Sequence, residues 1–221
     1  MDDYLSEKEQ WEWLKTQVRL NTPWILAGVA IALLAIYGWR WWQGHTDELA
    51  LRASNRFQKI ADDFGHGKRA EALALIDTLQ KEQPKSPYLD QANLAAARAF
   101  VDAGELDKAA ARLTSVMDKT PDRALALLAR VRLARVQIAQ NQPDAALATL
   151  AAVDPGSFAP LFHAARADAF EAKKDSGAAL KEYRAARASD AEGIIDADML
   201  DLKIGDLLAS EPAAAPAAGK R

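Results

Sequence analysis

The apolar residues divide the chain into two regimes. Pro23 to Trp39 reads PWILAGVAIALLAIYGW without one charged side chain, then Arg40 interrupts and Trp41 and Trp42 follow. Crossing bilayer hydrocarbon takes about 20 helical residues, with a usable range of about 17–25. Arg40 can snorkel toward the headgroups, so the expected span is residues 23–42. Trp24 stands at one end, and Tyr37, Trp39, Trp41 and Trp42 at the other, where aromatic rings sit best at a membrane interface. The core helix of a soluble protein seldom carries such flanking tryptophans. A cleavable signal peptide fits poorly. Acidic residues crowd the preceding segment (Asp2, Asp3, Glu7, Glu9, Glu12), and tryptophans stand where small residues would mark cleavage. The segment reads as an uncleaved anchor.

Within residues 4–20, Trp11, Leu14 and Val18 recur at helical spacing. This predicts a short amphipathic helix that lies on the membrane, docks on a partner, or extends the anchor. Asn21-Thr22-Pro23 reads as a helix stop and restart, since proline suits a first helical turn. Lys8, Lys15 and Arg19 before the span nearly balance Arg40, Arg52, Arg56 and Lys59 after it, so the positive-inside rule leaves orientation open.

Beyond the anchor the pattern becomes periodic. Four segments carry a turn followed by an alanine-rich amphipathic helix, at Gly67–Leu73, Gly104–Ala110, Asn141–Leu147 and Asp175–Leu180. Ala72, Ala109, Ala146 and Ala179 fall at equivalent places, 37, 37 and 33 residues apart. Four residues after each comes a larger side chain: Ile76, Leu113, Leu150 and Tyr183. A second set, Leu94, Leu128 and Phe162, recurs every 34 residues, and Pro84, Pro121 and Pro155 close the first three units. A period near 34 with paired helices, a small residue at the turn (Gly104 is typical) and a closing proline is the tetratricopeptide pattern. One such pair cannot bury its apolar face, whereas a stack can. Residues 194–208, with Ile194, Ile195, Leu200, Leu202, Ile204, Leu207 and Leu208, predict a helix that caps the open end.

The expected class is therefore all-α: a transmembrane helix followed by a solenoid of about four degenerate repeats and a capping helix. The expected divisions are 1–22 (N-terminal segment), 23–42 (span), 43–208 (repeats) and 209–221, a Pro- and Ala-rich tail with nothing to pack, expected to be disordered.

Composition supports this class. Alanine, the best helix former, dominates an apolar fraction of 50%. A net charge of −3 with interspersed signs offers no basic stripe for nucleic acid. The absence of cysteine removes disulfide and thiolate chemistry. His45, His66 and His163 form no ligand constellation, so no metal or other cofactor is expected. No nucleophile elbow, phosphate loop or dinucleotide fingerprint occurs, so a binding protein is expected, not an enzyme. Arg132 and Arg135 share a helix face and, with Arg98, are candidate contacts to an acidic partner. The plainer expectation for Arg132 and Arg135 is ordinary ion pairs between repeats, each contributing about 0–1 kcal/mol. Gly28 and Ala32 form a small-xxx-small pair that suits helix association in a membrane. This carries an alternative reading, an envelope or cell-division scaffold that self-associates through its helices.

The anchor ending GWRWWQ (Gly38 to Gln43), the ALRAS segment (Ala50 to Ser54), the RLARVQ stretch (Arg132 to Gln137) and the degenerate repeats together resemble the YfgM family, over all but the tail. Members of that family are ancillary subunits of the bacterial SecYEG translocon. The resemblance implies an inner-membrane protein with a cytoplasmic N-terminus and periplasmic repeats. It also implies association with SecYEG, with a membrane-anchored periplasmic prolyl isomerase and with emerging secreted proteins, in a chaperone-like role linked to envelope stress regulation.

Overall fold

The computed structural model describes residues 7–151 and 153–210. One compact unit ends at Arg52 and another begins at Ala53. Helix α1 (Glu7–Gly65) contributes to both. The expected break at Asn21-Thr22-Pro23 is absent, and Pro23 lies inside the helix. Continuing through proline forfeits one hydrogen bond, whereas stopping and restarting would strand up to four N–H and four C=O groups. Of the expected N-terminal amphipathic face, the Leu14 and Val18 side chains lie outside the described residues. So does the expected disordered tail beyond Ser210.

Among the described residues, α1 is the one helix long and apolar enough to cross a membrane, and its apolar window has no buried residue. Trp24, Gly28, Ala32, Gly38, Trp39, Arg40, Trp41 and Trp42 are all exposed on it.

The second unit consists of α2 (Arg69–Glu82), α3 (Pro87–Asp102), α4 (Leu106–Lys119), α5 (Arg123–Ala139), α6 (Pro143–Ala151), α7 (Ala159–Ala172), α8 (Ser176–Ser189) and α9 (Ala197–Ser210). A 3-10 turn, Gly156–Phe158, precedes α7. The repeats thus begin inside α1 and not at residue 43. Gln43 to Glu48 offers no apolar side chain to bury, whereas Ala53 and Ile60 are fully buried in the cluster that holds Ala72, Ile76 and Leu89. The last turns of α1 act as the first helix of the first repeat.

Each helix pair closes through the same turn. Gly67, Gly104, Asn141 and Lys174 have φ of 73°, 74°, 61° and 62°. Their N–H groups donate to Phe64, Val101, Ile138 and Glu171 carbonyls at 3.2, 2.9, 2.9 and 2.8 Å. The next N–H groups, of Lys68, Glu105, Gln142 and Asp175, donate to Asp63, Phe100, Gln137 and Phe170 at 2.8, 2.8, 2.9 and 3.0 Å. This paired bonding is the Schellman motif, which satisfies the last carbonyls of a helix and needs a left-handed residue. The fourth turn therefore pivots at Lys174. Asp175 instead caps α8 by accepting from the Ala178 N–H at 3.0 Å, and Gly177 sits within the helix.

Counting from the pivots fixes the packing. The fifth residue after each is Ala72, Ala109, Ala146 or Ala179, all fully buried. The ninth is Ile76, Leu113, Leu150 or Tyr183, again buried. The seventh residue before each pivot is Ile60, Ala97, Ala134 or Ala167, also buried. The expected equivalence of Leu94, Leu128 and Phe162 does not hold. They lie ten, thirteen and twelve residues before their pivots, and Leu128 is only half-buried while Leu127 enters the core. Their spacing of 34 follows neither the 37- nor the 33-residue separation of the turns.

Polar contacts bridge successive turns. Arg69 pairs with Glu105, Gln140 donates to Asp107 at 2.7 Å, and Lys173 pairs with Asp144 at 2.6 Å. At the end of the stack, α9 packs Leu200, Ile204 and Leu207 against Ala164, Ala167 and Tyr183. Of the residues expected to pack there, Ile194 lies before α9 and is exposed, and Leu202 and Leu208 are exposed because one face of a helix cannot bury residues at all these offsets.

Candidate partner-binding groove

The helices of the repeats carry arginines, and most are engaged within the fold. Arg56 of α1 pairs with Glu82 at 2.5 Å. Arg112 of α4 donates to Asn93 at 3.0 Å, and Asn93 is itself anchored to the Leu89 carbonyl. Arg130 of α5 donates to the Thr149 carbonyl of α6, its partner in the same repeat, at 2.8 Å, and Arg166 of α7 donates to the Leu150 carbonyl of α6, in the preceding repeat, at 3.0 Å.

Arg98, Arg132 and Arg135 differ. All three are exposed, and they line one cavity of about 620 Å³ between α3 and α5. Arg98 has only a loose contact, 3.9 Å, to Asp102 on its own helix. Arg132 and Arg135 have no carboxylate within ion-pair distance among the described residues. The expected inter-repeat ion pairs at these two positions are therefore not formed. Junctions are tied at the turns instead. Partial burial, then the nearby charges of Arg135 and Arg98, pull the Arg132 pKa below the usual arginine value. The group remains cationic at neutral pH, in a position where its neighbours repel it.

The cavity wall is apolar, built from Leu94, Ala97, Val101, Leu113 and Val136, and Val101 is 41% exposed. Sequence periodicity singled out Leu94 and Leu113 as packing residues but gave no signal for Val101 or Val136. Arg135 also lines a neighbouring cleft with Asp168, Glu171 and Lys203.

That cleft is held by a closed polar network. The Tyr183 hydroxyl lies 2.6 Å from Asp168 and 2.7 Å from Glu171. Lys203 of α9 donates to Asp168 at 2.6 Å and to Tyr183 at 2.8 Å. Burial, then the Asp168 and Glu171 bonds, push the Tyr183 pKa far up. Burial alone would lower Lys203, but the two carboxylates outweigh it and raise its pKa. These groups fasten α9 to α7 and α8.

The histidines stay apart from one another. His163 meets Glu182 of α8 at 2.7 Å. His66 is fully exposed, and its hydrogen bond to the Asp62 carbonyl, with the Asp62 charge, raises its pKa. Among the described residues no group of three or more His, Asp or Glu is placed to hold a metal ion.

Stacked helix pairs joined by a repeated left-handed turn, with cationic side chains left over a groove, define a tetratricopeptide-like repeat protein. The family model described as tetratricopeptide repeat-like domain matches residues 13–209. The ancillary SecYEG translocon subunit of Escherichia coli (strain K12) is 32% identical over 207 residues, covering 94% of this chain and 99% of that protein. The protein of the same name from Haemophilus influenzae is 25% identical over 203 residues, covering 92% and 98%. Among solved structures, MamA 41-end from Desulfovibrio magneticus RS-1 superposes with a TM-score of 0.54 at 17% identity, over 73% of this chain and 84% of that one; this likeness concerns the fold alone. The chain belongs to the family of ancillary SecYEG translocon subunits, built on a tetratricopeptide repeat-like domain.

Proposed function

We propose that this chain is a membrane-anchored, protein-binding subunit of the SecYEG translocon. In this reading residues 23–42 span the inner membrane, the N-terminus is cytoplasmic and the repeats are periplasmic. The groove between α3 and α5 receives partner polypeptides. These are the translocon itself, a membrane-anchored periplasmic prolyl isomerase, or secreted and outer-membrane proteins as they emerge, and the binding serves a chaperone-like role with a link to envelope stress regulation. The observation that carries the reading is the groove: an apolar wall under three arginines, of which Arg98 has only a loose contact to Asp102 and Arg132 and Arg135 have no acidic partner among the described residues. The name of the relatives adds the translocon as the place of action.

Photo-crosslinkers placed at Arg98 and Arg135 are expected to capture SecYEG subunits or nascent secreted chains in cells. Capture of nothing but the protein itself would sink the proposal. Reporter fusions at each terminus test orientation, and an active cytoplasmic reporter at the C-terminus would remove the secretion reading.

A further inference from the structure

Three features stand out beyond the fold: the network around Tyr183, the exposed apolar residues of α9, and the arginine-rimmed groove. The network is satisfied internally and fastens a helix. Nothing in the structure shows what covers Met199, Leu202 and Leu208 of α9. The groove goes further, because its chemistry restricts what can enter it.

The overall charge is −3, with 31 acidic against 28 basic residues. Three adjacent arginines with no acid closer than the loose Arg98–Asp102 contact at 3.9 Å are therefore not a product of a basic composition. Arg56, Arg69, Arg112, Arg130 and Arg166 each reach an acceptor on another helix or turn. Folding thus finds acceptors for arginines between helices and leaves three like charges together over the α3–α5 cavity. Partial burial and then repulsion from Arg135 and Arg98 both work against the charge on Arg132, and an anion relieves the repulsion. Guanidinium groups match carboxylates in a planar, two-pronged geometry. Beneath them the wall is apolar, so an inorganic anion alone would leave it uncovered, above all at the exposed Val101.

We propose that this groove selects polypeptide segments in which a bulky apolar side chain is flanked by carboxylates. The apolar group seats on Leu94, Val101 and Val136, and the carboxylates meet Arg98, Arg132 and Arg135. The inference rests on the reading of the groove as a polypeptide site and adds the chemistry of what it takes. Segments flanked by lysine are rejected, because each would add a like charge to three already gathered.

The test uses the full chain in a neutral detergent and fluorescein-labelled twelve-residue peptides, read by fluorescence anisotropy. The peptides share a central Leu-Phe and differ only in carrying Asp, Asn or Lys at the two flanking positions. Aspartate is expected to bind about tenfold tighter than asparagine, one charge-assisted contact's worth, and lysine weakest. Raising salt from about 50 to about 300 mM should weaken the aspartate peptide and leave the asparagine peptide unchanged, since only the former relies on screened charges. Arg132→Gln should abolish the preference for aspartate, and Arg132→Glu should invert it in favour of lysine. Arg132→Lys, which keeps the charge, should keep the preference in part; circular dichroism confirms the fold of each variant. Equal binding of all three peptides that is lost in Val101→Asp would overturn the acidic preference and leave the groove reading standing. Binding of no peptide at about 1 mM would overturn both.

Discussion

The four turns provide an internal experiment on backbone conformation. Gly67 and Gly104 have φ of 73° and 74°, and Asn141 and Lys174 occupy the same region at 61° and 62°. An ordinary side chain there costs roughly 1–2 kcal/mol, with asparagine better tolerated. Replacing glycine by alanine also restricts the unfolded chain, which offsets about 0.4–1 kcal/mol. A Cβ at Gly67 or Gly104 would meet nothing within 4 Å, so no steric contribution enters. The net expectation for Gly104→Ala is a loss of about 0.5–1 kcal/mol. For a domain of this size that corresponds to roughly 1–4 °C in the unfolding midpoint. Gly104→Asn should lose less. Lys174→Gly should gain about what Gly104→Ala loses, since its side chain forms none of the polar contacts between turns. Thermal unfolding of the full chain in detergent, followed by far-ultraviolet circular dichroism, measures all three. Equal losses for alanine and asparagine at position 104, or a destabilised Lys174→Gly, would refute the reasoning.

Other substitutions probe the stack and its cap. Leu150 is fully buried, so Leu150→Ala should cost about 2–5 kcal/mol in urea unfolding. Glu105→Gln, which weakens the partly exposed contact to Arg69, should cost no more than about 1 kcal/mol and less at high salt. Lys203→Met should lower stability by about 1–2 kcal/mol, a charged hydrogen bond discounted for its 36% exposed side chain. The folded-state pKa values of Lys203 and Tyr183 are both raised, so their contribution is complete below about pH 10 and disappears as pH rises through the raised values. The unfolding midpoint should therefore fall in alkali, and less steeply in Lys203→Met and in Tyr183→Phe.

What could be read from the sequence was whatever keeps a fixed distance from a turn. Ala72, Ala109, Ala146 and Ala179 lie five residues past the pivots, and their larger partners four further on, because a helix entering from the same turn presents the same faces. Leu94, Leu128 and Phe162 precede the turns, where helices of 16, 17 and 14 residues begin at different offsets, so a regular spacing misled. The fourth pivot escaped notice because Lys174 is neither glycine nor asparagine. The first helix of the first repeat was hidden because α1 has no stop signal between the anchor and Gly65. The arginines were visible as candidates. That Arg132 and Arg135 lack acidic partners is a property of the assembled helices, which no local pattern records.

Arg135 belongs to two clefts at once, one lined by Arg98 and Arg132, the other by Asp168, Glu171 and Lys203. Solenoids open first at their ends, since a terminal unit has one neighbour where an inner unit has two. Loosening of α9 would free Asp168 and Glu171 from Lys203, leaving two carboxylates beside the same arginine that completes the groove. Damage at the chain's far end, such as a protease nick before Ala197, would then be felt as a competing acid at the binding surface. The integrity of the last helix and the occupancy of the groove would be coupled through a single guanidinium.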